Sequence, residues 1–221
     1  FSAVYQRLLH CKSVVKPISL MTHFSSADDL DNKQVTEQQL ALFTQTVINY
    51  PGEKSIANSA AIIAWPSSIT DWVRPGLMLY GVSPFLSESA EKLALIPAMS
   101  LHSRLISVKT IEAGETVGYS ATWTAAQKTK IGVVAIGYGD GYPRYAETGT
   151  PVLVNGTRVP LVGLVSMDMI TVNLGDLDAV AGDLVTLWGE GLQVEEIASY
   201  SNTIPYTLLC GITQRVKIST I

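Results

Sequence analysis

Residues 55–65, Ser-Ile-Ala-Asn-Ser-Ala-Ala-Ile-Ile-Ala-Trp, join a short strand to a helix, and this junction decides the fold class. The strand is predicted over residues 55–57, and the helix begins at Asn58-Ser59. Residues 71–74 form a second short strand that a Pro-Gly pair closes. A strand, a helix and a further strand indicate parallel strands with helical crossovers.

The same alternation continues toward the start of the sequence. Apolar side chains at helical spacing predict a helix within the first nine residues. Residues 14–21 are apolar and β-branched enough for a buried strand, which ends at His23, and residues 35–50 have the period of an amphipathic helix. Three aspartates between them could cap this helix, namely Asp28, Asp29 and Asp31.

Residues 1–86 therefore predict three or so β/α units, whereas a (β/α)₈ barrel of the TIM type has eight units and roughly 250 residues. Three units would leave sheet edges unpaired and one face uncovered. We expect this part to be the carboxy-terminal units of such a barrel, completed by an amino-terminal segment that the sequence lacks. The alternative is that these residues form a compact half-barrel that folds independently.

The pattern changes after a polar, alanine-rich linker at residues 87–97. Residues 98–221 contain short predicted strands separated by turns, which is typical of an antiparallel β domain. Asn155-Gly156 is a strong signal for a two-residue hairpin turn. The predicted strands are residues 101–110, 130–136, 151–154, 159–162, 169–174 and 183–188.

The composition excludes several classes of protein. With 47% hydrophobic residues, 15% charged residues and a net charge of −4, the chain is expected to be globular, without a nucleic-acid or membrane partner. No apolar run approaches the roughly 20 residues of a membrane span. Two cysteines are too few for a disulfide framework, which favours a cytoplasmic location. No His/Cys cluster predicts a metal site, and no Gly-x-Ser-x-Gly motif predicts a serine hydrolase.

Several candidate functional residues follow predicted parallel strands, where the loops of a barrel converge. His23 is one, although a lone histidine is more often bonded to a backbone carbonyl. Ser59 starts a helix after a strand and could bind phosphate, with an ordinary N-cap as the alternative. Gly76 follows the next predicted strand and could also contact a phosphate, because a glycine lets a ligand approach the backbone closely. Arg74 could bond a cofactor ring or form a salt bridge to an aspartate after His23.

Three tyrosines are also candidates. Tyr119 is a poor base at an ordinary pKa of about 10, unless a histidine or arginine stabilises its phenolate. Tyr138 lies in the glycine-rich segment at residues 136–143, and Tyr206 lies near the end of the sequence. For all three, packing in a turn or pocket is the alternative. Ser-Met167-Asp-Met is predicted to start a strand.

Six segments considered together are more specific than any of them alone. They are Met21-Thr-His23-Phe, Asn58-Ser59-Ala-Ala, Val73-Arg74-Pro-Gly-Leu-Met-Leu-Tyr80-Gly, Val117-Gly-Tyr119, Ile136-Gly-Tyr-Gly-Asp-Gly-Tyr-Pro143 and Ser166-Met167-Asp168. In this order they resemble the alanine racemases, which use pyridoxal phosphate, and the resemblance covers essentially the whole chain. It implies a barrel followed by a β domain, a head-to-tail homodimer, and production of D-alanine for peptidoglycan precursors.

The resemblance implies how the cofactor is held. Ser59, the backbone at Gly76 and Leu77, and Tyr206 would bind its phosphate. Arg74 would face the pyridine nitrogen. Because an arginine with a pKa above about 12 does not give up its proton, that nitrogen would stay unprotonated and the ring would be a weaker electron sink.

The resemblance also implies a two-base mechanism, because inversion at Cα needs a proton removed from one face and delivered to the other. Tyr119 would be one base, acting at the partner subunit's site, and His23 would link it to Arg74. The other base would be the lysine that carries the cofactor. Met167 would contact the alanine substrate through its backbone, and Tyr138 would line the path by which substrate enters.

Two expected residues have no counterpart in the sequence. None of the nine lysines has the Ala-Tyr-Gly-His-Gly-type context of the cofactor lysine, and the substrate-binding arginine expected before residue 1 is absent as well. We therefore expect the chain to racemise alanine only with its amino-terminal segment. The alternatives are a broad-specificity amino-acid racemase, a barrel that carries the cofactor without catalysis, and a non-catalytic assembly fragment.

Overall fold

A computed structural model describes residues 1–85 and 87–220. They form two compact units, Phe1–Ile96 and Pro97–Ile221. Leu86, the predicted end of the barrel part, and Ile221 lie outside the described residues.

The first unit alternates strands and helices, as the sequence predicts. Its three strands form one parallel sheet in the order β1-β2-β3, so each connection is a helical crossover. The elements are α1 (Ser2–Leu9), β1 (Leu20–Met21), α2 (Lys33–Val47), β2 (Lys54–Asn58), α3 (Ser59–Ala64), a 3-10 helix (Pro66–Ser68), β3 (Trp72–Arg74) and a second 3-10 helix (Leu77–Tyr80).

Two predictions for this unit need correction. The strand predicted at residues 14–21 is confined to Leu20–Met21, because Pro17 has no backbone donor and the preceding residues form a turn. None of the three aspartates is the N-cap of α2, which is Asn32. Asp29 instead accepts a hydrogen bond from the Asn32 amide, at 3.2 Å.

Small side chains let α3 pack closely against the sheet. Ala60 and Ala61 are buried on the helix, and the Trp65 indole at its end donates a hydrogen bond of 3.0 Å to the Ala27 carbonyl. This bond satisfies the one polar group of a large buried side chain. The other buried members of this core are Phe24, Ile56, Ala57 and Phe85.

The second unit contains a six-stranded antiparallel sheet that nearly closes on itself. Its order is β10-β7-β4-β11-β8-β9, and a bridge between Leu161 and Val172 connects the two outer strands. A separate hairpin pairs β5 with β6. The elements are β4 (Leu101–Ile111), β5 (Thr116–Val117), β6 (Trp123–Thr124), β7 (Thr129–Val134), β8 (Pro151–Val154), β9 (Thr157–Pro160), β10 (Ile170–Gly175), β11 (Leu184–Trp188), α4 (Val194–Tyr200) and α5 (Pro205–Gly211).

The predicted hairpin turn is confirmed, since Asn155 and Gly156 both have positive φ, at 48° and 80°. Pairing across this turn places β9 at Thr157–Pro160, two residues before the predicted strand. Ser166 closes a turn with Met169, so β10 begins only at Ile170. The sequence patterns gave no indication of the β5–β6 hairpin or of α4 and α5.

No helix within residues 1–85 and 87–220 is long and apolar enough to cross a membrane. Over the same residues, no group of three His, Cys, Asp or Glu side chains is arranged to hold a metal ion.

Candidate active site

Arg74, the last residue of β3, extends its guanidinium over β2 to the residues that directly follow β1. Its Nη2 donates to the Thr22 carbonyl at 2.9 Å and to the Ile56 carbonyl at 3.4 Å, and its Nη1 donates to Ser55 Oγ at 2.6 Å. A fourth contact joins Nη2 to His23 Nδ1 at 3.2 Å. The side chain is thus fixed at the edge where parallel strands end.

The guanidinium forms no ion pair among the described residues. The aspartates after His23 therefore do not neutralise Arg74, which was the alternative to a contact with a cofactor. A half-buried cation held by neutral acceptors keeps its full charge for a further partner.

The contact with Arg74 also fixes the tautomer of His23. A guanidinium can only donate, so Nδ1 must accept and Nε2 must hold the ring proton. His23 is exposed, and its own carbonyl accepts from Gln39 Nε2 at 2.7 Å. The imidazole therefore accepts a hydrogen bond from Arg74 at Nδ1 and can donate one to a further group from Nε2–H.

Ser59 is buried at the start of α3, but it is not the N-cap. That role belongs to Asn58, whose side chain accepts from the Ala61 amide at 3.0 Å. Ser59 Oγ accepts from the Gly76 amide at 2.9 Å and from the Met78 amide at 3.3 Å. With both of these bonds accepted, the hydroxyl hydrogen of Ser59 is available to donate.

Gly76 stands in front of open space. A Cβ added at this position would meet no atom of the described residues within 4 Å, and the φ of −110° is ordinary. Leu77 buries its side chain, at 3% exposure, so only its backbone could contact a ligand. The Gly76 amide donates to Ser59, and the Leu77 amide begins a 3-10 helix, whose first donors have no intrahelical acceptor.

Tyr119 lies on an exposed turn of the second unit, between β5 and β6. Its side chain is 71% exposed. Ser120 and Ala121 follow in the left-handed region, at φ of 59° and 48°, a conformation that costs non-glycine residues about 1–2 kcal/mol each. The turn therefore holds the phenol away from the core.

Tyr138 and Met167 lie on two loops that contact each other through the backbone. The Gly139 amide donates to the Met167 carbonyl at 2.9 Å, and the Tyr138 amide donates to the Ser166 carbonyl at 3.0 Å. Arg144 places its guanidinium 5.8 Å from the centre of the Tyr138 ring. Two of the residues predicted for the substrate site are thus neighbours.

The remaining tyrosines differ in accessibility. Tyr206 lies in the first turn of α5 and is about half exposed. Tyr142, in the same segment as Tyr138, is fully buried, and this burial raises the pKa of its phenol far above the ordinary value. It therefore stays protonated and belongs to the core.

The structure brings together His23, Ser59, Arg74, Gly76 and Leu77 in the first unit, and it places Tyr119, Tyr138, Met167 and Tyr206 in the second. Three supporting residues carried no signal in the sequence. Ser55 and Gln39 support the Arg74–His23 pair, and Arg215 contacts the loops of Tyr138 and Met167. Serine in a strand and glutamine in a helix are too common to be singled out.

Two family models match the chain. The model "Alanine racemase, N-terminal domain" covers residues 1–84, and "Alanine racemase, C-terminal domain" covers residues 98–220. The chain belongs to the alanine racemase family. The resemblance found in the sequence is thereby confirmed, and with it the fold of barrel units followed by a β domain.

Individual relatives agree with this assignment. An alanine racemase of Shewanella frigidimarina is 54% identical over 99% of this chain and 59% of its own length. The biosynthetic alanine racemase of Pseudomonas aeruginosa, a crystal structure, is 46% identical, with a TM-score of 0.90 over 97% of this chain and 60% of that one. The alanine racemase of Bartonella henselae, solved with covalently bound pyridoxal phosphate, is 31% identical, with a TM-score of 0.82 over 90% of this chain and 55% of that one. The chain thus spans about 60% of the length of the curated relatives it matches.

Proposed function

We propose that this chain forms part of the active site of a pyridoxal-phosphate-dependent enzyme that interconverts L- and D-alanine. An amino-terminal segment carrying the cofactor lysine, and a second subunit, would complete each site. The observation that supports the proposal most is the contact of the unneutralised Arg74 guanidinium with His23, at the strand ends where barrels bind ligands.

The residues of the first unit fit the cofactor phosphate. The buried Ser59 hydroxyl retains a hydrogen to donate, and the space before Gly76 would admit an anion. We propose that Ser59, the backbone at Gly76 and Leu77, and Tyr206 hold the phosphate. When bound, pyridoxal phosphate supplies an electron sink that acidifies the Cα–H bond of an amino acid. The Bartonella henselae relative binds this cofactor.

Arg74 would orient the ring and leave its nitrogen without a proton. Its charge is not neutralised by any described carboxylate, and its position is fixed by acceptors in β2 and directly after β1. Because arginine does not release its proton, Arg74 can offer a hydrogen bond without acting as an acid. We propose that this limits side reactions relative to racemisation.

Tyr119 Oη would be one of two bases, acting at the site of the partner subunit. Its exposure on a turn suits a side chain that reaches into another subunit. The Nε2–H of His23 would donate to the phenolate and so lower its basicity toward the physiological range. The backbone of Met167 would contact the substrate, and Tyr138 would line the path of entry. We place the homodimer in the cytoplasm.

The direct test is racemisation by the completed protein. We expect it to convert either enantiomer of alanine to the mixture, with visible absorbance from bound cofactor. Comparable rates with serine would favour the broad-specificity alternative. Failure of the completed protein to bind cofactor would contradict the proposal and favour an assembly role.

Gly76→Ala tests the phosphate site without disturbing the fold. The added methyl meets no atom of the described residues, so the free energy of unfolding should change by no more than about 0.5 kcal/mol. The same methyl would occupy the space proposed for the phosphate, so we expect the affinity for pyridoxal phosphate to fall about tenfold or more. Titration of the cofactor-free protein measures this. An unchanged affinity would place the phosphate elsewhere.

Ser59→Ala should weaken both stability and cofactor binding. It removes the acceptor of two backbone amides, which costs about 1–3 kcal/mol of unfolding free energy, and it removes one donor to the phosphate. Ser68→Ala is the matched control, because Ser68 is also buried and its hydroxyl donates to the Trp65 carbonyl, at 2.7 Å. The control should lose stability and retain its cofactor affinity.

A further inference from the structure

Arg215 joins two acidic residues from different loops of the second unit. Its Nε lies 3.1 Å from Asp140 Oδ1, and its Nη2 lies 2.6 Å from Asp168 Oδ1. The hydrogen bond to Asp168, and next the charge of Asp140, raise the pKa of the guanidinium. Because its donors form a rigid planar fork, one arginine can hold two carboxylates at a set separation.

Each carboxylate belongs to a loop with a residue of the proposed substrate site. Asp140 ends the 3-10 turn that begins at Tyr138, and Asp168 directly follows Met167. Asp140 also accepts from the Gly137 amide at 2.9 Å, which fixes it within its own turn. The two ion pairs therefore connect the same two loops that are joined by the hydrogen bond from the Gly139 amide to the Met167 carbonyl.

Arg215 is itself held against this contact. Thr213, two residues earlier, donates from Oγ1 to the Gly139 carbonyl at 2.9 Å and from its amide to the Asp140 carbonyl at 3.1 Å. A Cβ added at Gly139 would lie 2.5 Å from Arg215 Nη1 and 3.0 Å from the Met167 carbonyl oxygen. Only a glycine leaves room for the guanidinium to lie beside this peptide.

We propose that Arg215 is a positioning residue that sets the separation of Tyr138 and Met167, and through it the affinity for the amino-acid substrate. This proposal rests on the proposed function, in which the Met167 backbone contacts the substrate. Arg215 acts through the two loops and needs no contact with substrate or cofactor. Displacement of a binding group by about 1 Å can cost up to about 10²-fold in activity, so loosening either loop should be measurable.

The test compares Arg215→Gln with Arg158→Gln in the complete holoenzyme. Arg158 is a matched control, because it also pairs with a carboxylate, that of Glu196, and is also about half exposed. We expect Arg215→Gln to raise the KM for alanine about tenfold while kcat falls less than threefold and the cofactor absorbance is unchanged. Arg158→Gln should leave KM unchanged. Arg215→Lys, which retains the charge but not the fork, should fall between wild type and Arg215→Gln.

Gly139→Ala provides a second route to the same displacement, because the methyl pushes Arg215 and Met167 apart. Its effect on KM should match that of Arg215→Gln. The double variant should be no worse than either single variant, since both act on one contact. Fully additive effects would contradict a shared mechanism.

Hydrogen exchange separates this proposal from the proposed function. In Arg215→Gln, but not in Arg158→Gln, the amides of Tyr138 and Gly139 should exchange about tenfold faster, whether or not the protein racemises alanine. If the wild type lacks racemase activity while exchange is still faster in Arg215→Gln, the proposed function is overturned and the coupling of the loops stays intact. Unchanged exchange, or a KM unchanged in Arg215→Gln, would overturn the role of Arg215.

Discussion

Tyr119→Phe should slow racemisation of alanine by about 10²- to 10⁴-fold, which is the usual contribution of a positioned general acid or base. The substitution removes only the phenolic oxygen. Because the tyrosine is 71% exposed, the free energy of unfolding should stay within about 0.5 kcal/mol of wild type. Racemisation followed by circular dichroism or polarimetry measures the loss.

The two-base assignment needs a further measurement. Because the enantiomers are equally stable, the values of kcat/KM for the two directions must stay equal and so fall together. Exchange of the α-hydrogen in D₂O resolves the two faces. With Tyr119 removed, one enantiomer should still exchange through the lysine, whereas exchange from the other should collapse. Tyr145→Phe, which alters another exposed tyrosine, is the control and should exchange both normally. Equal loss of exchange from both enantiomers would refute the assignment.

Arg74→Lys should lower kcat/KM by about 10²-fold, the second large effect. A lysine keeps the charge, but its single ammonium group cannot bond Thr22, Ser55 and His23 together as the guanidinium does. His23 loses its fixed tautomer, and Tyr119 loses the partner proposed to stabilise its phenolate. The cost should therefore appear in kcat more than in the KM for alanine.

The same variant tests the electronic role of Arg74. Lysine, with an ordinary pKa near 10.4, can share its proton with a ring nitrogen, whereas arginine does not. We expect a larger fraction of turnovers to end as keto acid, with the amino group left on the cofactor. Keto-acid formation per racemisation event measures this fraction. Arg104→Lys, which changes an arginine bonded to the Gly182 carbonyl, should leave the ratio at its wild-type value. An unchanged ratio in Arg74→Lys would remove the electronic argument.

The fold was predictable where local chemistry and tertiary pairing agree. Residues 151–154 are directly followed by the diagnostic Asn-Gly turn, and the observed strand has the predicted bounds. The strand at residues 14–21 was overestimated, because apolar composition cannot show that only two of its residues find a partner strand. The left-handed turn at Ser120 and Ala121 was not predictable either, since neither residue type favours that conformation.

The candidate site was predictable in its residues and less so in its connections. Strand ends pointed to His23 and Arg74, but no spacing rule shows that side chains 51 positions apart are 3.2 Å from each other. Arg215 was missed for the same reason: its partners lie in distant loops, and a single arginine among polar residues has no periodicity. Contacts of this kind depend on the assembled fold.

The hydrogen bonds of Arg74 also bear on how the first unit assembles. Their acceptors come from segments 18 to 52 residues earlier in the chain, so the guanidinium is satisfied only after all three strands have docked. A sheet with a strand in the wrong register would leave a half-buried charge without acceptors, at a cost of several kcal/mol. The side chain proposed to face the cofactor would thus discriminate against misfolded intermediates before any ligand binds.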